Sequence, residues 1–234
     1  MQTAATSASF ITVVSAGEAE VAAVCNVAQA HGKRVAAHAR SAESVKMCLR
    51  HGVDVIYHAT LLDDDARDQL ECQRQRIFVA PVLGNLYTTL NEAGPWGITR
   101  DIAAERGIAH ELESGIANMK ALHARGVRVL IGGDYGFAWN PIGTNARDIG
   151  HFVDMLEFSP MHAIMAATRL GGAIMGMGDQ LGQVRPGFLA DLLLVDGDPL
   201  EDVAILQQRG RLKAIMKDGA FWKSPNGGIV QARS

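Results

Sequence analysis

Apolar and polar positions along this chain repeat a helix-then-strand unit. Over residues 18–31 the apolar side chains fall at Val21, Val24, Cys25, Val27 and Ala28, the spacing of one helical face. Gly32 then supplies a left-handed stop, and Arg34-Val35-Ala36-Ala37-His38 reads as a short strand. A second unit has its helix over 42–51, its stop at Gly52 and its strand over 53–58. A third has a helix over 108–125, with Ile108, Leu112, Ile116, Met119 and Leu122 on one face. Gly126 ends it, and a strand over 127–134 follows. Two further apolar runs, 77–82 and 10–14, read as buried strands.

Short apolar strands alternating with helices imply an α/β fold with a parallel sheet covered on both faces. Five such strands are present, whereas a closed (β/α)8 TIM-type barrel needs eight. The expectation is a partial barrel holding about strands 4–8. A loop rich in Gly, Pro and aromatic residues follows over 135–144, then two helices, one over 146–158 and one opening at Ser159-Pro160. From residue 182 the pattern changes to three short strands, 190–195, 212–216 and 220–222, punctuated by turn residues. They read as a small antiparallel β module. The expected organisation is a partial barrel over 10–181, the β module over 182–223 and a mobile tail over 224–234.

Composition narrows the function classes. Hydrophobic residues are 48% of the chain and charged residues 20%, which supports a buried core and excludes global disorder. The net charge of −3, without a long basic run, gives no reason to expect nucleic acid or an anionic membrane as a partner. No apolar run reaches the ~18 residues of a membrane span, and the first ten residues lack the basic start and apolar core of a secretory signal. Cys25, Cys48 and Cys72 are widely spaced and form no CxxC pair, so they read as packing thiols in a reducing, cytoplasmic setting.

Three strands each end in a residue able to bind a metal: His38, His58 and Asp134. The two histidines stand six residues after their helix-stopping glycines, so neighbouring strands would carry them at one height. The C-terminal strand ends of a β/α barrel face its active site, and histidine with carboxylate suits Zn²⁺ or a similar ion. A histidine at a strand end is more often a hydrogen-bonded structural residue, and on pattern alone that alternative stands. Arg40, two residues after His38, could face the same way and bind a substrate carboxylate, or face solvent. Asn85 and Tyr87 follow a strand and are candidates for the pocket mouth. Tyr57, by alternation with His58, is expected to face the helix layer as a packing residue.

The chain over about 11–222 resembles the later barrel half and trailing β segment of the amidohydrolase superfamily, on the side of imidazolonepropionase and the Xaa-Pro dipeptidases. The carrying residues are Val35-Ala36-Ala37-His38-Ala39, Gly52-Val53-Asp54-Val55-Ile56-Tyr57-His58-Ala59 and Ile131-Gly132-Gly133-Asp134. Pro141-Ile142-Gly143-Thr144-Asn145-Ala146-Arg147 and the run from Gly187-Phe188-Leu189-Ala190-Asp191 to Asp196-Gly197-Asp198-Pro199-Leu200 complete the match. The resemblance implies that His38 and His58 are the metal ligands after strands five and six. Asp134 would be the strand-eight carboxylate that touches the metal, orients the attacking water and shuttles its proton. It implies one or two divalent ions, zinc by default, and hydrolysis of an amide, cyclic amide or ester in a small-molecule substrate.

The departures are equally specific. The family's strand-one His-x-His pair has no counterpart in this sequence, and Thr12 stands where related two-metal enzymes carry a bridging lysine. The leading expectation is a hydrolase that reaches full activity with a missing N-terminal half. Its rivals are a non-catalytic fragment or assembly subunit, and a binding module with one structural metal. Open sheet edges lead to the expectation of a homo-oligomer or a complementing N-terminal chain.

Overall fold

The computed structural model describes residues 10–13 and 17–225. Val14, the first nine residues and the tail beyond 225 lie outside the described residues. Within them the chain divides into two compact units, with the break between Ile142 and Gly143.

The first unit carries a five-stranded sheet in which every neighbouring pair is parallel and spatial order follows the sequence. Its strands are β1 (Phe10–Val13), β2 (Arg34–Ser41), β3 (Val55–Leu61), β4 (Phe78–Ala80) and β5 (Arg128–Val129). The connecting helices are α1 (Glu18–Ala30), α2 (Ala42–Arg50) and α3 (Asp64–Cys72), then α4 (Leu83–Asn91), α5 (Arg100–Glu105) and α6 (Ile108–Ala124) before β5.

The local causes are those the sequence implies. Gly32, Gly52 and Gly126 all adopt positive φ, at 60°, 83° and 75°. The next N–H then returns to a carbonyl five residues back: Lys33 to Ala28, Val53 to Cys48 and Val127 to Leu122, at 2.8–3.0 Å. That bond satisfies a carbonyl the helix end would otherwise leave open. Ser41 and Asp63 cap α2 and α3, accepting from the N–H groups of Ser44 and Ala66.

Two features differ from expectation. β4 and β5 are shorter than the apolar runs that contain them: β4 pairs with β3 over three residues and with β5 over two. Helices α4 and α5 occupy a stretch not expected to be helical, although Leu83, Leu86 and Leu90 of α4 carry the spacing of one helical face. The sequence of α4, Leu-Gly-Asn-Leu-Tyr-Thr-Thr-Leu-Asn, is a poor helix former, and tertiary packing overrides it. Leu83, Leu86 and Leu90 are buried on it, against α6. Gly115 permits that approach: a Cβ there would stand 2.9 Å from Leu83 Cδ2 and 3.0 Å from Thr60 Cγ2.

The second unit holds α7 (Arg147–Asp154), α8 (Pro160–Ala167) and α9 (Arg169–Ile174). Where two helices are expected, three occur, because the backbone breaks at Thr168. The antiparallel module forms as expected from β6 (Leu192–Val195), β7 (Leu212–Lys217) and β8 (Ala220–Lys223), in sequence order. No helix among the described residues is long and apolar enough to cross a membrane.

Candidate active site

The parallel register pairs His38 with Tyr57 and Ala39 with His58, and it slips between Ala39 and Ser41. Plain alternation would turn His58 away from His38. Instead His58 and Ala59 both take left-handed backbone, at φ 76° and 51°. Two consecutive left-handed residues re-aim the end of β3. His38 Nδ1 and His58 Nε2 meet at 2.9 Å and share a hydrogen bond, with ring centroids 5.1 Å apart.

Tyr57 is a correction to the sequence reading. Its ring lies 5.0 Å from that of His38, as register partners on parallel strands require, so it borders the histidine pair rather than serving only the helix layer. Burial pushes its phenol pKa up.

His58 is 2% exposed, and its Nδ1 is buried without a hydrogen-bond partner. Burial, the charge of Arg40 and the neighbouring His38 hold its pKa down at about 3, so it is neutral across the physiological range. Neutral imidazole is the form that ligates metals.

The strained end of β3 is fastened by α6. The Thr60 carbonyl accepts from Ser114 Oγ at 2.8 Å and Asn118 Nδ2 at 2.9 Å, and the Thr60 hydroxyl donates to Glu111 Oε1 at 2.8 Å. Arg40 donates to both Glu111 oxygens, at 2.7 and 2.9 Å, from a side chain that remains 48% exposed. Sequence reasoning missed Thr60 and Glu111. They stand 51 residues apart, and no local spacing marks the pairing.

Asp134 ends the third of the expected strands with φ 53°, a conformation aspartate tolerates better than most residues. Asn85 Nδ2 donates to its Oδ2 at 3.2 Å. Two of the residues singled out on the sequence are thus brought together. Tyr87 lies two positions along α4 from Asn85, about 200° around the helix, and does not project from the same face.

Among the described residues no group of three or more His, Cys, Asp or Glu side chains is gathered closely enough to hold a metal. The histidine pair nevertheless fits two positions of such a set. Nitrogens ~2.0–2.1 Å from one tetrahedral ion lie about 3.3 Å apart, a few tenths from the separation seen. The unpartnered Nδ1 of His58 is the ring nitrogen turned away from His38, so its missing partner is a separate feature from the position an ion would take.

The amidohydrolase family profile matches residues 5–221, nearly the whole chain. The chain belongs to the amidohydrolase family. Aspergillus niger ochratoxinase is 23% identical over 209 residues, which are 88% of this chain and 41% of the fungal protein. Its solved structure superposes with a TM-score of 0.81 at 20% identity, over 96% of this chain and 53% of that one, a likeness of fold. A Xaa-Pro dipeptidase solved with methionine in its active site gives 0.77 at 26% identity, over 92% and 54%. Another solved amidohydrolase gives 0.75 at 28%, over 89% and 49%. The amidohydrolase chain thus spans about half the length of the relatives it matches, in keeping with its five parallel strands. The resemblance and the partial-barrel expectation both hold.

Proposed function

We propose that this chain supplies the later half of a metal-dependent hydrolase of an amide, cyclic amide or ester bond. The observation that carries the reading is the convergence of His38 Nδ1 and His58 Nε2 from the C-terminal halves of adjacent parallel strands. His38 and His58 would hold a divalent ion, zinc by default. A bound ion of this kind lowers the pKa of water toward neutrality and polarises the substrate carbonyl.

The chain's own residues do the rest. Asp134, oriented by Asn85, takes the proton from the attacking water and delivers it to the departing amine or alkoxide. Arg40, half exposed beside Glu111, would bind a substrate carboxylate. Tyr87 is the weaker candidate for the pocket mouth. The likeness to a Xaa-Pro dipeptidase supports an amide with an amino-acid leaving group. The two-residue histidine set supports a need for further donors, from a complementing N-terminal segment or chain, for full activity. A chain that binds metal without turnover would favour the assembly-subunit reading. Three free cysteines, two of them buried, suit a reducing cytoplasmic location.

Elemental analysis of the purified protein after zinc loading tests this. The wild type should retain zinc through dialysis. His38→Ala and His58→Ala should lose it with their far-ultraviolet spectra unchanged, because the β2–β3 ladder does not depend on either ring, while His58→Ala, at a buried position, should also lower the unfolding midpoint. Asp134→Asn should keep most of the metal and lose about 10²–10⁴-fold in turnover, the usual contribution of a positioned general base. Equal zinc in the wild type and both alanine variants would refute the site.

A further inference from the structure

Asp134 is joined to an aromatic cluster by a hydrogen-bond chain whose direction is set from one end. The indole Nε1–H of Trp139 donates to Thr89 Oγ1 at 2.9 Å. An indole has only a donor to offer, so the hydroxyl must accept. Thr89 then spends its one proton on Asn85 Oδ1, at 3.2 Å and one turn back along α4. With Oδ1 accepting, the amide NH₂ faces Asp134 and donates to Oδ2. The chain therefore decides the orientation of the Asn85 amide, which the shape of a carboxamide alone leaves open. It presents a donor to Asp134, the polarity an ionised carboxylate needs. The backbone closes the same ring. Asn140, 1% exposed, donates to the carbonyls of Gly133 and Asp134 at 2.8 and 3.0 Å, and its own N–H donates to the Phe137 carbonyl.

The other end of this chain is an aromatic surface. Trp139 stacks on Phe137 with centroids 5.4 Å apart and planes 24° from parallel, and it meets Trp96 at 6.3 Å. Phe137 and Trp96 are 41% and 51% exposed, although rings of this size dominate cores and interfaces. Binding sites characteristically combine apolar lining with a few fixed polar groups. Here the rings are tied through the middle one to the carboxylate.

We propose that Trp96, Phe137 and Trp139 form a subsite for an aromatic side chain of the substrate, and that Trp139, Thr89 and Asn85 are positioning residues for Asp134. The favoured substrate is an amide carrying a benzyl-sized ring, over one carrying a small or charged group. The subsite stands on the ring geometry alone. The positioning role rests on the reading of Asp134 as the proton-transfer carboxylate.

Tryptophan fluorescence of the purified chain, titrated with N-acetyl-L-phenylalanine and with N-acetylglycine, separates the two. The phenyl compound should bind about tenfold or more tightly than the glycyl one, the scale expected for burying a phenyl ring. Phe137→Ala and Trp96→Ala, both at exposed positions, should abolish that preference. Equal affinity for the two compounds, or an unchanged preference in both variants, overturns the subsite. Trp139→Phe keeps a ring and removes the N–H donor, while Thr89→Val removes the relay hydroxyl. In both, binding of the phenyl compound should persist while kcat for its hydrolysis falls about tenfold or more at constant KM. Unchanged kcat, or a loss confined to KM, overturns the positioning role. A wild-type chain that discriminates the two compounds but hydrolyses neither, alone or with a complementing N-terminal half, overturns both the positioning role and the hydrolase reading, and leaves the subsite standing.

Discussion

The two sheets of this protein are built from comparably apolar strands, yet only one of them buries most of its side chains. In the parallel sheet Ala36, Val55, Ile56 and Val79 are fully buried. In the antiparallel module Leu192, Leu193 and Leu194 are 36%, 56% and 56% exposed, and Phe221 and Trp222 are similarly open. Strand hydrophobicity therefore does not establish burial; covering layers do. The helices α1, α2 and α6 lie against the parallel strands. The three-stranded module presents apolar side chains from consecutive positions of β6, hence from both of its faces.

Truncation at matched sites gives the largest expected contrast. Ile56→Ala should cost about 2–5 kcal/mol, as for other fully buried aliphatic residues. Leu193→Ala should stay within about 0.5–1 kcal/mol, because much of that side chain already meets water. Denaturant unfolding of the two variants measures this, and equal losses would break the comparison.

Association is the next contrast. An apolar surface of this kind marks an interface or an aggregation liability. The purified chain should sediment as more than a monomer, and Leu193→Lys should shift it toward the monomer without lowering its unfolding midpoint. A monodisperse wild-type monomer that unfolds cooperatively would show that the open leucines are tolerated as they stand.

The smallest effect concerns the buried side of the comparison. Burial, with Cys25 nearby, pushes the Cys48 thiol from its ordinary value of 9.0 up to about 11. A folded pKa above the unfolded one means that the folded state holds the proton longer. Its contribution to stability is complete below pH 9 and is lost as pH rises through 11. Cys48→Ala should flatten that alkaline decline, measured as the thermal midpoint between pH 8 and 11. A thiol reagent at pH 8 should meanwhile label exposed Cys72 and spare Cys25 and Cys48.

Much of the parallel sheet was legible because its punctuation is local. A glycine at 32, 52 or 126 ends a helix by its own backbone freedom, and the strand that follows is an apolar run. Helix α4 was only half legible: Gly84, Asn85, Thr88 and Thr89 argue against a helix, while Leu83, Leu86 and Leu90 have the spacing of the face that packs on α6. At the site, His38, His58, Asp134, Arg40 and Asn85 could be picked out by residue type and strand-end position. Their partnerships could not. The contact of His58 with His38 depends on left-handed backbone at His58 and Ala59, which period-two alternation does not foresee. Glu111 reaches Arg40 across 71 positions of sequence, and the link from Asn85 to Asp134 spans 49.

Left-handed backbone at non-glycine residues has a further consequence, for mutational tolerance. His58, Ala59, Val82 and Asp134 all carry positive φ, the first two within β3 and the others beyond β4 and β5. Each such residue costs of order 1–3 kcal/mol, and Val82, being β-branched, is the least suited to it. Glycine would relieve all four alike on backbone grounds. In a saturation library selected for folding, glycine should therefore be enriched at 59 and 134, whereas at 58 and 82, where the side chain is buried, the cavity left behind offsets the gain. In the same library selected for metal retention and turnover, it should persist at 59 and vanish at 134. The backbone alone makes these four positions equivalent, and the difference between the two selections would isolate what their side chains are for.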